Sequence, residues 1–411
     1  MKKLLFFSVF GLASGAAFAA GFGLYEASAR GNAMGGGLVG STKDASANYY
    51  NPANLTELTN VTITAGMSFI NPFCDVKVDG IPQQKMNAGW FPPPHAYLAA
   101  PITEDLVFGF GSYCEYGLGT KYDSNWLLKA DTTETTLEQF TFNPNIAYKI
   151  TDKWSFAVGA RMSYITFENL KTPLGQDFGP LGYNYLRTRI KGDDFNCGYL
   201  LATQYKVTDE FRIGAIYRSR INHRLRGDFD VDANINPTVG AMLSQMGMHI
   251  PPSGGADAKV ALPSSATIGA NYDFTQKFRG GVAVTWTEWS TINHLNFNLP
   301  AGTVRQDLNW DDAWRVGFGF EYDFTDAFSG ALGYTYDLDP SHKNYGTTML
   351  PPGDRHIVGA GLGYKFLDDW RIDVGYSFII MESESRMIGG AKFQCDNSYS
   401  HIASATVSYS F

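Results

Sequence analysis

The chain has almost no apolar run long enough to cross a bilayer as a helix. Such a span takes ~20 consecutive apolar residues, and the longest candidate, residues 4–13, sits at the very start. The mean hydropathy of -0.17 also excludes a bundle of membrane helices. Charge is scarce, at 18% of 411 residues, and the net charge is -8. An acidic balance argues against nucleic acid and other polyanions as partners. Cysteine is rare too: Cys74, Cys114, Cys197 and Cys395 are widely spaced, and no pair has the spacing of a metal knuckle. A periplasmic location would permit disulfides, and the spacing leaves open whether any form. There is no G-x-S-x-G. The seven histidines (His95, His223, His249, His294, His342, His356, His401) fall in loops or at loop edges. Neither an enzyme, a metal site nor a cofactor is expected.

Glycine and aromatic residues are what the chain has instead, with 44 glycines and 15% Phe, Trp and Tyr. Lys2 and Lys3, the apolar run and Ala17-Phe18-Ala19 form a secretory signal peptide over residues 1–19. Its removal takes the charge from -8 to -10, the two lost charges being Lys2 and Lys3. An exported, aromatic-rich chain without a spanning helix points to an outer-membrane β-barrel.

Alternation supports this. Trp314, Val316, Phe318, Phe320 and Tyr322 share one strand face, with Arg315, Gly317, Gly319 and Glu321 on the other. Trp370 to Phe378 and Ala403 to Phe411 repeat the pattern. A soluble sandwich would alternate as well, but here the apolar faces begin and end on aromatics, as girdles at two membrane interfaces do. A tight polar turn recurs six times: Ile102-Thr103-Glu104-Asp105-Leu106, then at residues 150–154, 207–211, 274–278, 324–328 and 366–370. Six short turns join seven hairpins, so an all-β fold is expected, a 14-stranded antiparallel transmembrane barrel over residues 61–411 with both termini periplasmic. The terminal Phe411 matches the aromatic that the barrel-assembly machinery reads.

Residues 20–60 do not alternate, and a lumen of this strand number needs filling. They are read as an N-terminal plug, or hatch. Gly35-Gly36-Gly37-Leu38-Val39-Gly40 matches G-x-G-x-x-G, but with no preceding strand and no βαβ unit it is no nucleotide site.

The chain resembles the FadL/TodX (OmpP1) family of outer-membrane transporters of long-chain fatty acids and other hydrophobic compounds. The resemblance rests on Ala20-Gly21-Phe22, Asn51-Pro52-Ala53, Asn143-Pro144-Asn145-Ile146-Ala147-Tyr148, Tyr217-Arg218-Ser219, Leu262-Pro263-Ser264-Ser265-Ala266, Thr287-Glu288-Trp289-Ser290, Asp312-Ala313-Trp314-Arg315 and Asp354-Arg355. It implies capture of an apolar ligand between outer loops, passage to an apolar pocket above the plug, plug movement, and exit sideways through a kinked third strand. On that reading Asn51, Pro52 and Ala53 gate the plug, and Tyr116, Gly117 and Leu118 form the kink. Two departures stand out. Asp311 and Thr166 occupy places where carboxylate-binding members carry cations, and Tyr113-Cys114-Glu115-Tyr116-Gly117 lacks the Pro-Phe-Gly of the kink.

From the residues themselves, Val239, Met242, Leu243, Met246 and Met248 have near-helical spacing on the fourth long loop. Exposed Met and Leu suit capture of flexible apolar ligands; a loop helix packed on the barrel rim is the alternative. Arg161, Arg218, Arg315 and Arg355 fall on lumen-facing alternation and are candidate partners for a ligand carboxylate. The expected partners are a hydrophobic small molecule, outer-membrane lipid and lipopolysaccharide, and the assembly machinery, with the protein a monomer. A general diffusion porin would show more strands, a charged constriction loop and no plug. A structural or adhesive barrel remains open on sequence alone.

Overall fold

The computed structural model describes residues 21–411 apart from 80, 81, 88, 124, 368 and 389, so the expected signal peptide at 1–19 lies outside the described residues. Fourteen antiparallel strands close into one barrel. They are β1 (Thr62–Val78), β2 (Pro94–Pro101), β3 (Leu106–Tyr113 and Gly117–Lys121), β4 (Glu134–Thr151), β5 (Trp154–Asp177), β6 (Tyr183–Lys206) and β7 (Phe211–Arg218 and Ile221–Asn234). The second half is β8 (Gly254–Leu262 and Ser265–Asp273), β9 (Phe278–Thr287 and His294–Leu299), β10 (Gly302–Asp307 and Ala313–Asp323), β11 (Phe328–Asp337), β12 (Arg355–Lys365), β13 (Trp370–Met381) and β14 (Ala391–Ser410). Each pairs with its neighbour, and β1 meets β14 from Thr62↔Ser410 to Val78↔Phe393, which removes the exposed edges hydrocarbon cannot satisfy.

All six tight turns fall where the sequence motif places them. The threonine in five of them has a physical role. Its hydroxyl accepts backbone N–H groups two and three residues on, as Thr103 does from Asp105 (3.3 Å) and Leu106 (3.1 Å). Thr151, Thr208, Thr275 and Thr325 repeat this bond pair. The sixth turn has Leu367 instead, at φ +101°, a left-handed conformation a leucine adopts only under strain.

Outward residues form an apolar band: Val316, Phe318 and Phe320 are exposed, between Tyr322 near the turns and Trp314 near the loops. Inward residues are small and polar, such as Ser404, Thr406 and Ser408. That inner face does not line a channel. Residues 21–60 fill the lumen through the short helices Ala29–Ala33 and Ala47–Tyr50 and the 3-10 turn Pro52–Glu57. Wall and filling approach backbone to backbone. A Cβ on Gly317 would lie 2.0 Å from the Gly35 carbonyl oxygen, and one on Gly281 2.0 Å from that of Gly37. Gly35 and Gly36 also take positive φ, +58° and +79°. This close packing is the reason for the glycine run.

Candidate functional site

Polar side chains tie the filling segment to the wall all round the barrel. Asn145 donates to Asn48 Oδ1 (2.7 Å), Asn271 to the Gly37 carbonyl (2.9 Å) and Thr335 to the Gly35 carbonyl (3.1 Å). Glu321, on β10, receives Arg30 of the segment at 2.6 Å and Arg279 of β9 at 2.7 Å. Asn51 is fully buried. Its amide donates to the carbonyls of Val39 (2.9 Å) and Thr203 (3.0 Å), while its Oδ1 caps the 3-10 turn through the Ala53 N–H (3.1 Å). Pro52 begins that turn, and Ala53 is buried beneath it.

Above the segment, towards the long loops, lies an apolar cavity. Its walls include Leu118, Leu137, Phe167, Leu225, Val260 and Phe297. Its floor is a box of aromatic rings around Phe22, with Trp289 at 5.0 Å, Tyr116 at 5.7 Å and Trp310 at 5.9 Å between centroids. Below it a polar cavity lies between segment and wall, lined by Tyr25, Glu26, Tyr49, Arg218 and Arg315 among others. Burial pushes the Tyr25 hydroxyl up to about 12 and raises the Glu26 carboxyl, with Arg315 opposing both. A dry upper chamber thus sits on a polar lower one.

The third strand is broken at Cys114, Glu115 and Tyr116; of the residues read as the kink, Gly117 and Leu118 are back in the ladder with β4. Tyr113 pairs with Thr141 and Gly117 with Glu138, so Cys114, Glu115 and Tyr116 oppose only two residues of β4. The filling segment takes up the loose backbone: Gly23 bridges Tyr116, Leu24 N–H donates to Glu115 O (2.7 Å), and Gly117 N–H donates to Phe22 O (2.9 Å). A Cβ on Gly117 would lie 2.8 Å from Leu24 Cδ1, so Leu24 packs closely over this glycine. On the other side of the break a cavity of about 410 Å3 is lined by Leu24, Ile70, Phe91, Pro92, Pro93 and Tyr116 among others. Sequence reading missed Pro92-Pro93-Pro94. A proline run has no N–H to offer a ladder, so it leaves this side of the seam unzipped.

The four arginines face inward, but their surroundings differ. Arg161 is committed to Glu115 (2.6 Å) and to the Ser219 carbonyl (2.6 Å). Arg218 lies 3.2 Å from the same carboxylate and also donates to the Tyr49 carbonyl. Arg315 bonds Asp337 at 3.3 Å and stacks 4.0 Å over the Tyr25 ring. Arg355 is fully buried within 3.7 Å of Asp337, yet none of its three guanidinium nitrogens makes a hydrogen bond. Asp311 is exposed outside the cavity, and Thr166 lies on the outward alternation between Ile165 and Phe167, so neither position faces the lumen. Among the described residues no group of three His, Cys, Asp or Glu could hold a metal ion.

The fourth loop carries a helix, Pro237–Gln245. Val239 is buried, Leu243 is half-buried, and Met242, Met246 and Met248 are exposed, Met246 at 74%. The helix both rests on the rim and presents methionine outward.

Residues 10–411 match the family described as outer membrane protein transport protein (OMPP1/FadL/TodX). The long-chain fatty acid transport protein of Escherichia coli O6:H1 is 27% identical over 90% of this chain and 88% of its own length. That of Salmonella typhi is 24% identical over 93% and 92%. Among solved structures, a Pseudomonas aeruginosa FadL homologue superposes with a TM-score of 0.83 at 21% identity, covering 95% of this chain and 99% of that one. The Pseudomonas putida toluene transporter TodX gives 0.74 at 18%, covering 93% and 98%, a likeness of fold.

Proposed function

Since the chain belongs to the OMPP1/FadL/TodX family of outer-membrane transport proteins, we propose that it carries hydrophobic compounds, long-chain fatty acids among them, through the wall of its barrel. A molecule is caught on the methionines of the fourth loop and drops into the apolar cavity over Phe22. Residues 20–60 act as a hatch hinged about Asn51, Pro52 and Ala53. Its shift withdraws Phe22, Gly23 and Leu24 from the broken third strand. The ligand then leaves past Tyr116, Gly117 and Leu118 into the bilayer. A dry path of this kind avoids the rehydration an apolar solute would meet in a water-filled pore.

One observation carries this reading: Phe22 lines the apolar cavity and, with Gly23 and Leu24 next to it in the chain, forms the short strand that fills the broken wall. Emptying one place therefore opens the other. A lumen filled from β1 to β14 is unsuited to general diffusion. Related proteins are named for fatty acid transport and, among solved structures, toluene transport, so the class spans acids and neutral hydrocarbons. Of the four arginines, Arg355 has donors left for a polar end of the ligand, and Arg161, Arg218 and Arg315 set the charge around it. The protein works as a monomer in contact with lipopolysaccharide, delivered by the assembly machinery through the strand ending at Phe411.

The test is quenching of Trp289 and Trp310 by a fatty acid brominated in mid-chain, added to the protein in lipid nanodiscs. Saturable quenching that falls in the Trp289→Phe/Trp310→Phe variant supports occupation of the cavity. Quenching that never saturates, or that the variant leaves unchanged, overturns it.

A further inference from the structure

The seam between β8 and β9 is not zipped along its whole length. Ser265–Asp273 pairs with Phe278–Thr287. Towards the loops only Asp257 and Ala258 find partners, Asn298 and Phe297. Between these contacts the chain turns into the lumen as a single helical turn, Trp289–Thr291, which delivers Trp289 to the aromatic box. Lys259, Val260 and Ala261 are thus left without ladder partners across this seam.

A groove covers the outer side of the gap, lined by Asn222, Arg224, Arg226, Lys259, Asn293 and His294 among others. The apolar cavity covers its inner side. Lys259, Val260, Ile292 and Leu295 line both spaces, so one layer of side chains divides them. The groove carries three cations, Arg224, Arg226 and Lys259, against Asp194 in its lining and Asp257 beside it. Arg224 is paired with Asp257 at 3.2 Å, whereas Arg226 and Lys259 have no ion pair among the described residues. Its height is set by register: Ala266 is level with Trp286, which pairs with the exposed Trp314 at the loop end of the apolar band. Lys259 lies further along β8 towards the loops, on the loop side of these aromatic residues.

We propose that this gap is a side entrance for single-chain anionic amphiphiles lodged in the outer leaflet. Arg226 and Lys259 hold the head group at the mouth, and the alkyl tail passes between Val260, Ile292 and Leu295 into the apolar cavity. No ladder has to break for this passage, only side-chain rotamers have to turn, and the tail never meets bulk water. The methylenes of Lys259 extend the apolar lining while its amine stays outside. The inference rests on the reading that the cavity holds the transported molecule.

Photolabelling with two palmitate probes tests it, one with a diazirine next to the carboxylate and one with it near the methyl end, on the full-length protein in lipopolysaccharide-containing vesicles. The head probe is expected to mark Asn222, Arg224, Arg226, Asn293 and His294, and the tail probe Phe167, Leu225 and Phe297. The Arg226→Gln/Lys259→Gln variant should lower head labelling about tenfold, the worth of one charge-assisted contact, and leave labelling by a C16 alcohol probe unchanged. Tail labels in the cavity with head labels only on the outer loops overturn the side entrance alone. No tail label in the cavity overturns the transport reading as well. Head labelling that purified lipid A abolishes, with no tail probe passing Val260, marks the groove as a lipopolysaccharide anion site and also overturns the entrance.

Discussion

Gly23 faces Tyr116 as a non-hydrogen-bonded antiparallel pair, flanked by the bonds Leu24 N–H to Glu115 O and Gly117 N–H to Phe22 O. The start of the filling segment is thereby a short extra strand laid into a break in the barrel wall. Its bonds are few, so its release costs far less than opening a full strand.

Asn51 makes three hydrogen bonds in a site without solvent. Asn51→Ala leaves the Val39 and Thr203 carbonyls without this donor and the Ala53 N–H uncapped, a local cost of about 1–3 kcal/mol. The cost falls on the hatch and not on the fourteen-strand ladder. Uptake of a labelled long-chain acid should fall at equal surface expression, while the thermal unfolding midpoint of the barrel holds. A lowered midpoint with unchanged uptake would make Asn51 purely structural.

Gly317 and Gly35 touch through backbone. Gly317→Val puts a side chain where the Gly35 carbonyl lies, and the segment must shift away from β10. Ion conductance in planar bilayers is expected to rise from near silence to measurable openings. A silent variant would show that the filling tolerates displacement without leaking.

Arg355 has unbonded donors in a buried place. Arg355→Gln should weaken binding of a long-chain fatty acid by about tenfold, ~1.4 kcal/mol, and spare the alcohol of equal length. Equal losses for both ligands would assign Arg355 to the ion pair with Asp337 alone.

Met242 and Met246 project from the loop helix. The Met242→Ser/Met246→Ser variant removes apolar capture surface without touching the barrel. The half-saturating concentration for uptake should rise roughly threefold, in keeping with the small area lost, with the rate at saturation unchanged. A change confined to the saturated rate would place these residues on the exit path instead.

The barrel was legible because its grammar is local. Turn threonines, period-two alternation and end-of-strand aromatics each act within a few residues, so Thr103 and Trp314 can be read from their neighbours. The lumen-filling segment could be inferred from what it lacks, but not its contacts, because Gly35 meets Gly317 across 282 positions of chain. The arginines show the same limit. Alternation gives the face on which Arg161 and Arg355 lie, and only the fold shows that Glu115 occupies one and leaves the other's donors unbonded. The break in β3 falls at Cys114, Glu115 and Tyr116 and shares only Tyr116 with the kink read from the sequence, while the prolines that unzip its far side lie some twenty residues away at Pro92-Pro93-Pro94 and gave no local signal.

The most direct measurement is to lock the extra strand in place. Non-hydrogen-bonded antiparallel pairs bring Cα atoms within disulfide range, so Gly23→Cys with Tyr116→Cys can be oxidised in a background whose four native cysteines are replaced by serine. Uptake of a labelled long-chain fatty acid is then compared before and after reduction. Uptake that is abolished in the oxidised protein and restored by reduction is the predicted result; equal uptake in both states would contradict passage through the third-strand break.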